Sequence, residues 1–121
     1  MLRTLLTAFA SLAFVFSAAI AADDVMASRY GNTTITTDSK GVQTKLYYKD
    51  DHTFTAKQGT QETKGTWKVD DKGTICLTYD KPFAGMPNPL CVPVVTHKIG
   101  DTWTTGEGDN KRTATLVKGI Q

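Results

Sequence analysis

One pattern constrains the fold more than any other: short runs of alternating apolar and polar residues, separated by turn sequences. In the run 61–69, Gly65, Trp67 and Val69 alternate with the charged residues Lys64 and Lys68. Because successive side chains of a strand point to opposite faces, such alternation indicates a half-buried β-strand. The turn sequences recur roughly every ten residues, a spacing typical of consecutive hairpins.

This rhythm predicts an all-β fold: a single antiparallel meander of about eight strands, closed or nearly closed into a barrel. Threonine occurs 18 times after residue 21, and β-branched residues favour strands. Four expected strands centre on Leu46, Phe54, Trp67 and Leu77. The other four are 33–37, 90–97, Thr102–Thr105 and Arg112–Val117.

A short N-terminal helix is expected over residues 23–30, before the first strand. The segment begins with Asp23 and Asp24, ends with Arg29 and stops at Gly31, in accord with dipole and capping preferences.

Residues 1–21 have the pattern of a signal peptide. Arg3 precedes an apolar stretch, and Ala19-Ile20-Ala21 supplies small residues for cleavage. We therefore expect one β-barrel-like domain over residues 22–121, located in a periplasm or secreted. Because no second apolar stretch follows, we expect no membrane insertion after cleavage.

The chain has only two cysteines, Cys76 and Cys91. In an exported chain such a pair predicts a disulfide, and the spacing is unlike a redox-active C-x-x-C. Between them, residues 80–89 hold three of the four prolines, so this segment is an irregular loop. The bond should clamp the base of that loop.

Charge argues against a nucleic-acid partner. Of the 14 Lys and Arg residues, only Arg3 lies in the signal, which leaves 13 against 12 Asp and Glu, a net charge of +1. A nucleic-acid footprint needs basic residues in excess and gathered on one face.

Catalytic and metal-binding residues are not evident. The chain has no G-x-S-x-G, no convincing carboxylate pair and no phosphate-binding glycine loop. Asp50-Asp51-His52 fits a solvated turn better than a metal site, and His52 with His97 alone would be a weak one. We expect a protein that is not an enzyme and binds no metal or cofactor.

Aromatic and loop residues are the remaining candidates for contacts with a ligand or partner. Most of the aromatic side chains should form the core, but an eight-stranded barrel can also enclose one small ligand. Thr44 and Thr63 at inward positions favour an interior with polar groups. The candidates are Tyr30, Tyr48, His52, Trp67, Phe83, Met86 and Trp103.

Two segments carry a resemblance to known proteins: Gly65-Thr66-Trp67, and Gly73-Thr74-Ile75-Cys76-Leu77. There the chain resembles small exported barrels of the lipocalin and avidin type, although the lipocalin G-x-W lies on the first strand. With Tyr30-Gly31-Asn32-Thr33 and Cys91, it is also similar to uncharacterised proteobacterial periplasmic proteins. In size, signal and single disulfide it is similar to secreted bacterial metalloprotease inhibitors, which act through an N-terminal segment.

The hypothesis that follows is a non-enzymatic periplasmic or secreted barrel that binds a small molecule or an exported protein. The alternative is a secreted inhibitor or interaction module that acts through residues 22–30 or loop 82–89. A hollow interior would favour the small molecule, and a packed interior would exclude it.

Overall fold

The computed structural model describes residues 24–121. The signal peptide expected over residues 1–21, together with Ala22 and Asp23, lies outside the described residues. Within 24–121, no helix combines the length and hydrophobicity needed to cross a bilayer.

Eight antiparallel strands form the domain, as the alternation predicted. They are β1 (Thr33–Asp38), β2 (Gln43–Tyr48), β3 (Thr53–Gln58), β4 (Gln61–Val69), β5 (Thr74–Tyr79), β6 (Leu90–Pro93), β7 (Thr102–Thr105) and β8 (Arg112–Val117). Their order in the sheet is β6-β5-β4-β3-β2-β1-β8-β7.

The sheet is a nearly closed barrel with one open seam. Strands β1 to β6 lie side by side in sequence order, as in an up-and-down meander, β7 pairs with β8, and β8 pairs with β1 to bring the two ends of the chain together. In the described chain, no ladder joins β6 to β7. The predicted meander is therefore confirmed, and its one break lies between the two shortest strands.

Two predicted elements are wrong in extent. The strand expected over 90–97 ends at Pro93. The amide of Val94 still donates to the carbonyl of Gly73 (2.8 Å), the next position of the β5–β6 register, but Gly73 belongs to the turn before β5, so the residues after Val94 have no strand to pair with. The expected helix is only a 3-10 turn, Ala27–Arg29. Packing fixes this short segment instead: Met26 is fully buried, and the Asp24 carboxylate accepts the Met26 amide (2.9 Å).

Aspartate and glycine shape two of the hairpin turns. Asp38 accepts hydrogen bonds from the amides of residues 40 and 42, and Gly41 adopts a φ of 80°. Asp70 does the same for the amides of residues 72 and 74, and Gly73 adopts a φ of 78°. These turns confirm the turn positions expected from the sequence. The expectation succeeded because the aspartate hydrogen bonds and the positive φ of glycine both act within about five residues.

The inward faces form the core, as predicted for β2 to β5. The buried inward residues include Leu46, Tyr48, Phe54, Ala56, Trp67, Ile75, Leu77 and Tyr79, together with the predicted Thr44 and Thr63. Val42, expected on the same face as Leu46, is 40% exposed because it belongs to the turn that precedes β2.

Gly65 is required by close backbone contact. A Cβ atom added there would lie 2.0 Å from the carbonyl oxygen of Thr78 in β5 and 3.0 Å from the Phe54 ring. A strand glycine often marks such an approach of one backbone to another.

We expect Gly65→Ala to lower the free energy of unfolding by about 1–3 kcal/mol, the usual cost of overpacking. Urea denaturation measures it. Lys64→Ala on the outer face of the same strand is the control and should stay within about 0.5 kcal/mol of the wild type. Equal stability of the two variants would contradict the close contact.

The disulfide joins Cys76 of β5 to Cys91 of β6, which confirms the predicted pair. The two residues are direct cross-strand partners, with their Cα atoms 4.0 Å apart. The bond therefore fastens the four-residue edge strand β6 to the sheet at the base of loop 80–89. A structural disulfide is typical of proteins in oxidising compartments.

Loss of this bond should destabilise the domain, because it closes a loop with a sequence separation of 15 residues. For such a loop, chain-entropy models give about 3 kcal/mol. Urea denaturation of the Cys76→Ser, Cys91→Ser double variant measures the effect. Wild-type protein with reductant should unfold at the same urea concentration as the variant, and a variant as stable as the oxidised protein would contradict the prediction.

Candidate functional site

The barrel interior contains a cavity of about 60 Å³ beside the open seam. Its apolar walls come from β2, β5, β6 and β8, and include Leu46, Ile75, Leu77, Leu90 and Ala114. At roughly 15 Å³ per water, this volume holds about four waters. The interior is therefore hollow, and the hollow is small.

Arg29 lies at the end of the cavity that the N-terminal segment covers. Its side chain is 4% exposed, and its guanidinium donates to the carbonyl of Val25 (3.0 Å) and to that of Val95 (3.2 Å). The same guanidinium lies 5.5 Å from the centre of the Trp103 ring, within cation–π range. Burial lowers the pKa of Arg29, and the nearby Tyr48 phenol acts in the opposite direction.

The position of Arg29 bridges the seam. Val95 follows β6, and Trp103 belongs to β7, so one buried cation contacts both edges that lack a hydrogen-bond ladder. The N-terminal segment thus closes the barrel where the sheet does not.

A stack of rings continues outward from Trp103. The imidazole of His97 lies 3.6 Å from the Trp103 ring centre at an interplanar angle of 10°. Nδ1 of His97 is 3.5 Å from the Asp101 carboxylate. Burial lowers the pKa of His97, the charge of Arg29 lowers it further, and Asp101 opposes both.

Two buried hydroxyls in the cavity wall have no hydrogen-bond partner among the described residues. They belong to Thr34 on β1 and Thr105 on β7. Buried polar groups nearly always have partners, so each such hydroxyl calls for an explanation. The phenols of Tyr48 and Tyr79 also line the cavity, and burial raises the pKa of Tyr48 and that of Tyr79, the latter to about 12.

Loop 80–89 covers the other end of the barrel. The Asn88 side chain pairs with the backbone of Tyr79, accepting its amide (2.9 Å) and donating to its carbonyl (3.0 Å). Phe83 is buried in the core beside the Tyr79 ring, and Met86 is half-buried against the cavity. The loop is packed down, with neither side chain at a free tip.

Three of the candidate residues form a separate cluster. The Trp67 ring stacks on His52 with 4.2 Å between ring centres, and Tyr30 lies 6.2 Å away. The Trp67 indole nitrogen donates to the carbonyls of Lys49 and Thr53, which fixes the β2–β3 turn. These contacts give Trp67 a structural role.

The structure therefore divides the sequence candidates. Tyr48, Met86 and Trp103 line the cavity, and Phe83 fills the core. Tyr30, His52 and Trp67 cluster beside the cavity, where the Trp67 ring meets Tyr48 edge to face at 6.4 Å between ring centres. In the part of the chain that the structure describes, no three His, Cys, Asp or Glu side chains gather as metal ligands would.

Sequence reasoning missed Arg29, Thr34 and Thr105. In the sequence, Arg29 indicated only the end of a helix. Its burial could not be predicted, because arginine is mostly exposed in proteins. Thr34 and Thr105 are two among many threonines, and only the closed sheet shows that both face one cavity. Comparisons with known proteins found no matching family model, no matching characterised protein and no matching solved structure.

We expect an NMR titration of His97 to show a midpoint below 6.5, because burial and Arg29 oppose its protonation. The folded state then binds fewer protons than the unfolded state, so stability is full above pH 6.5 and falls as the pH drops below it. Asp101→Asn should move the midpoint lower still, because it removes the carboxylate that favours the charged imidazole.

His97→Gln serves as the control for stability. The decline in unfolding free energy between pH 7 and 5 should be smaller in this variant than in the wild type. A midpoint at or above 6.5, or a rise on Asp101→Asn, would contradict the assignment.

Proposed function

We propose that this protein is a non-enzymatic periplasmic or secreted barrel that binds a small molecule in its interior cavity. The observation that carries the proposal is the hollow interior itself, whose walls are mostly apolar and also include Thr34 and Thr105. The buried hydroxyls of these two threonines have no partner in the described chain and would be the polar groups of the site. Ligand sites commonly combine apolar walls with a few such polar groups.

The composition of the walls supports binding over catalysis. Among residues 24–121, those that line the cavity include no carboxylate, histidine, cysteine, serine or lysine. General acid–base and nucleophilic mechanisms depend on these side chains. The threonine and tyrosine hydroxyls of the cavity have no neighbouring base to activate them.

Export rests on two independent features. The disulfide between Cys76 and Cys91 fits an oxidising compartment, and the signal pattern of residues 1–21 fits transport to one. The resemblance to small exported barrels of the lipocalin and avidin type fits the same location.

The alternative, an inhibitor or interaction module, receives less support. In the described part of segment 22–30, Met26 and Arg29 are buried and could not contact a partner directly. In loop 82–89 the candidate Phe83 is 6% exposed. The side chains expected to make the contacts are therefore already used inside the barrel.

Native mass spectrometry of the exported protein, purified without detergent, tests the proposal. We expect a bound mass on the wild type, and at least about a tenfold smaller bound fraction on Ala114→Leu, because the larger side chain fills the cavity. Thr113→Leu adds the same side chain on the outer face of the same strand and should keep the bound mass.

Urea denaturation shows whether each variant folds, and Ala114→Val replaces Ala114→Leu if the larger side chain prevents folding. Protein stripped by unfolding and refolding should unfold at a lower temperature than protein that carries the ligand. A wild type without any bound mass, or equal retention by Ala114→Leu and Thr113→Leu, would refute binding in the cavity.

A further inference from the structure

We infer that the cavity takes a small amphipathic carboxylate, with the carboxylate at Arg29 and a short hydrocarbon group against the apolar walls. The inference rests on the proposed function and specifies its ligand class. It comes from the juxtaposition of a buried cation, two unpartnered hydroxyls and an apolar surface around one small cavity.

Arg29 is a buried cation without a carboxylate partner among residues 24–121. The one pair of oppositely charged side chains in contact there is His97 with Asp101. The guanidinium has five N–H donors, and the hydrogen bonds to Val25 and Val95 use two. A buried charge is costly unless a counter-charge and hydrogen bonds compensate it, and a bound anion would supply both.

The charged side chains in the cavity wall are arginines. Arg112 lines the opposite end, where β8 begins beside the end of β7 and across from Asp38 of β1, and among residues 24–121 no Asp or Glu side chain lines the cavity. A cationic guest would therefore meet only like charge in the cavity wall. An anionic guest would meet the buried Arg29 guanidinium.

One of the unpartnered hydroxyls extends this donor surface. Thr34 lies near the start of β1, at the end of the barrel that the N-terminal segment covers, and its hydroxyl could donate to a carboxylate at Arg29. Thr105 lies across from Arg112 at the other end. Hydrogen bonds to a charged acceptor are roughly twice as strong as those between neutral groups.

The walls and the volume restrict the rest of the ligand. Ile75, Leu77, Leu90 and Ala114 offer an apolar surface that an inorganic anion would leave unused. A space for about four waters fits a carboxylate with a chain of a few carbons. The class expected is therefore a short-chain monocarboxylate, and butanoate is a suitable probe.

Arg29 also has a structural role, since it bridges Val95 and Trp103 across the seam. If Arg29 acted only as that bridge, its replacement would lower the stability of the fold and leave the ratio of the affinities for anionic and neutral ligands unchanged. Comparison of butanoate with butanol, of equal chain length and no charge, separates the two roles.

The experiment titrates the stripped full-length exported protein with butanoate, butanol or inorganic phosphate, and follows binding by NMR chemical shifts. NMR is suitable because such small ligands bind weakly. We expect butanoate to bind at least about tenfold more tightly than butanol, which corresponds to about 1.4 kcal/mol. Phosphate should bind at least about tenfold more weakly than butanoate, because it cannot use the apolar walls.

Arg29→Met removes the charge and keeps a long apolar side chain. It should weaken butanoate at least about tenfold and change butanol by less than about twofold, since only the anion loses charged hydrogen bonds. Lys64→Met removes one positive charge from the exposed outer face and should leave both affinities unchanged. Arg29→Lys keeps the charge without the planar fork, so it should restore part of the butanoate affinity.

If Arg29→Met does not fold, Arg29→Lys carries the test, and it should weaken butanoate more than butanol. Equal binding of butanoate and butanol, tight binding of phosphate, or unchanged butanoate affinity in a folded Arg29 variant would overturn the carboxylate assignment. A bound mass in native mass spectrometry without butanoate binding would overturn it as well and leave the proposed function intact. Absence of both a bound mass and any bound probe would overturn the proposed function itself.

Discussion

The open seam between β6 and β7 is the constraint on which the rest of the structure depends. Seven ladders connect the eight strands, and the eighth, which would close the barrel, is missing from the described chain. Unpaired strand edges expose backbone groups and need cover. Arg29 supplies part of it by contacting both sides of the seam, so closure depends on a segment that precedes β1.

The closure by Arg29 lies directly at the cavity. Arg29 and Trp103, which meet at the seam, both line the cavity, together with Thr34 and Thr105. The disulfide between Cys76 and Cys91 holds the short strand β6 in position on one side of that hollow. The cavity, the seam and the clamp are therefore parts of one arrangement.

The alternation predicted the fold well because its cause is local. Period-two patterning fixed the faces of β4 and β5, and aspartate with glycine fixed the turns at 38–41 and 70–73. The errors came where local preference was weak. The segment expected as a helix over 23–30 is too short for a stable helix, and residues 24–30 take their shape from packing. Residues 95–97 leave the sheet because the neighbouring strand β5 begins only at Thr74, after the turn at Gly73.

The sequence by itself determined the all-β fold class, the turn positions and the cysteine pair. The first two follow from the alternation of apolar and polar residues and from the turn residues, which act over a few positions. It also marked Tyr48, Met86 and Trp103 as candidates. Only the tertiary structure decided that these three share a cavity with Arg29 and Thr34. The physical reason is that the burial of the Arg29 charge and the lack of a partner for the Thr34 hydroxyl depend on which distant strands come together. The spacing of residues along the chain does not predict those contacts.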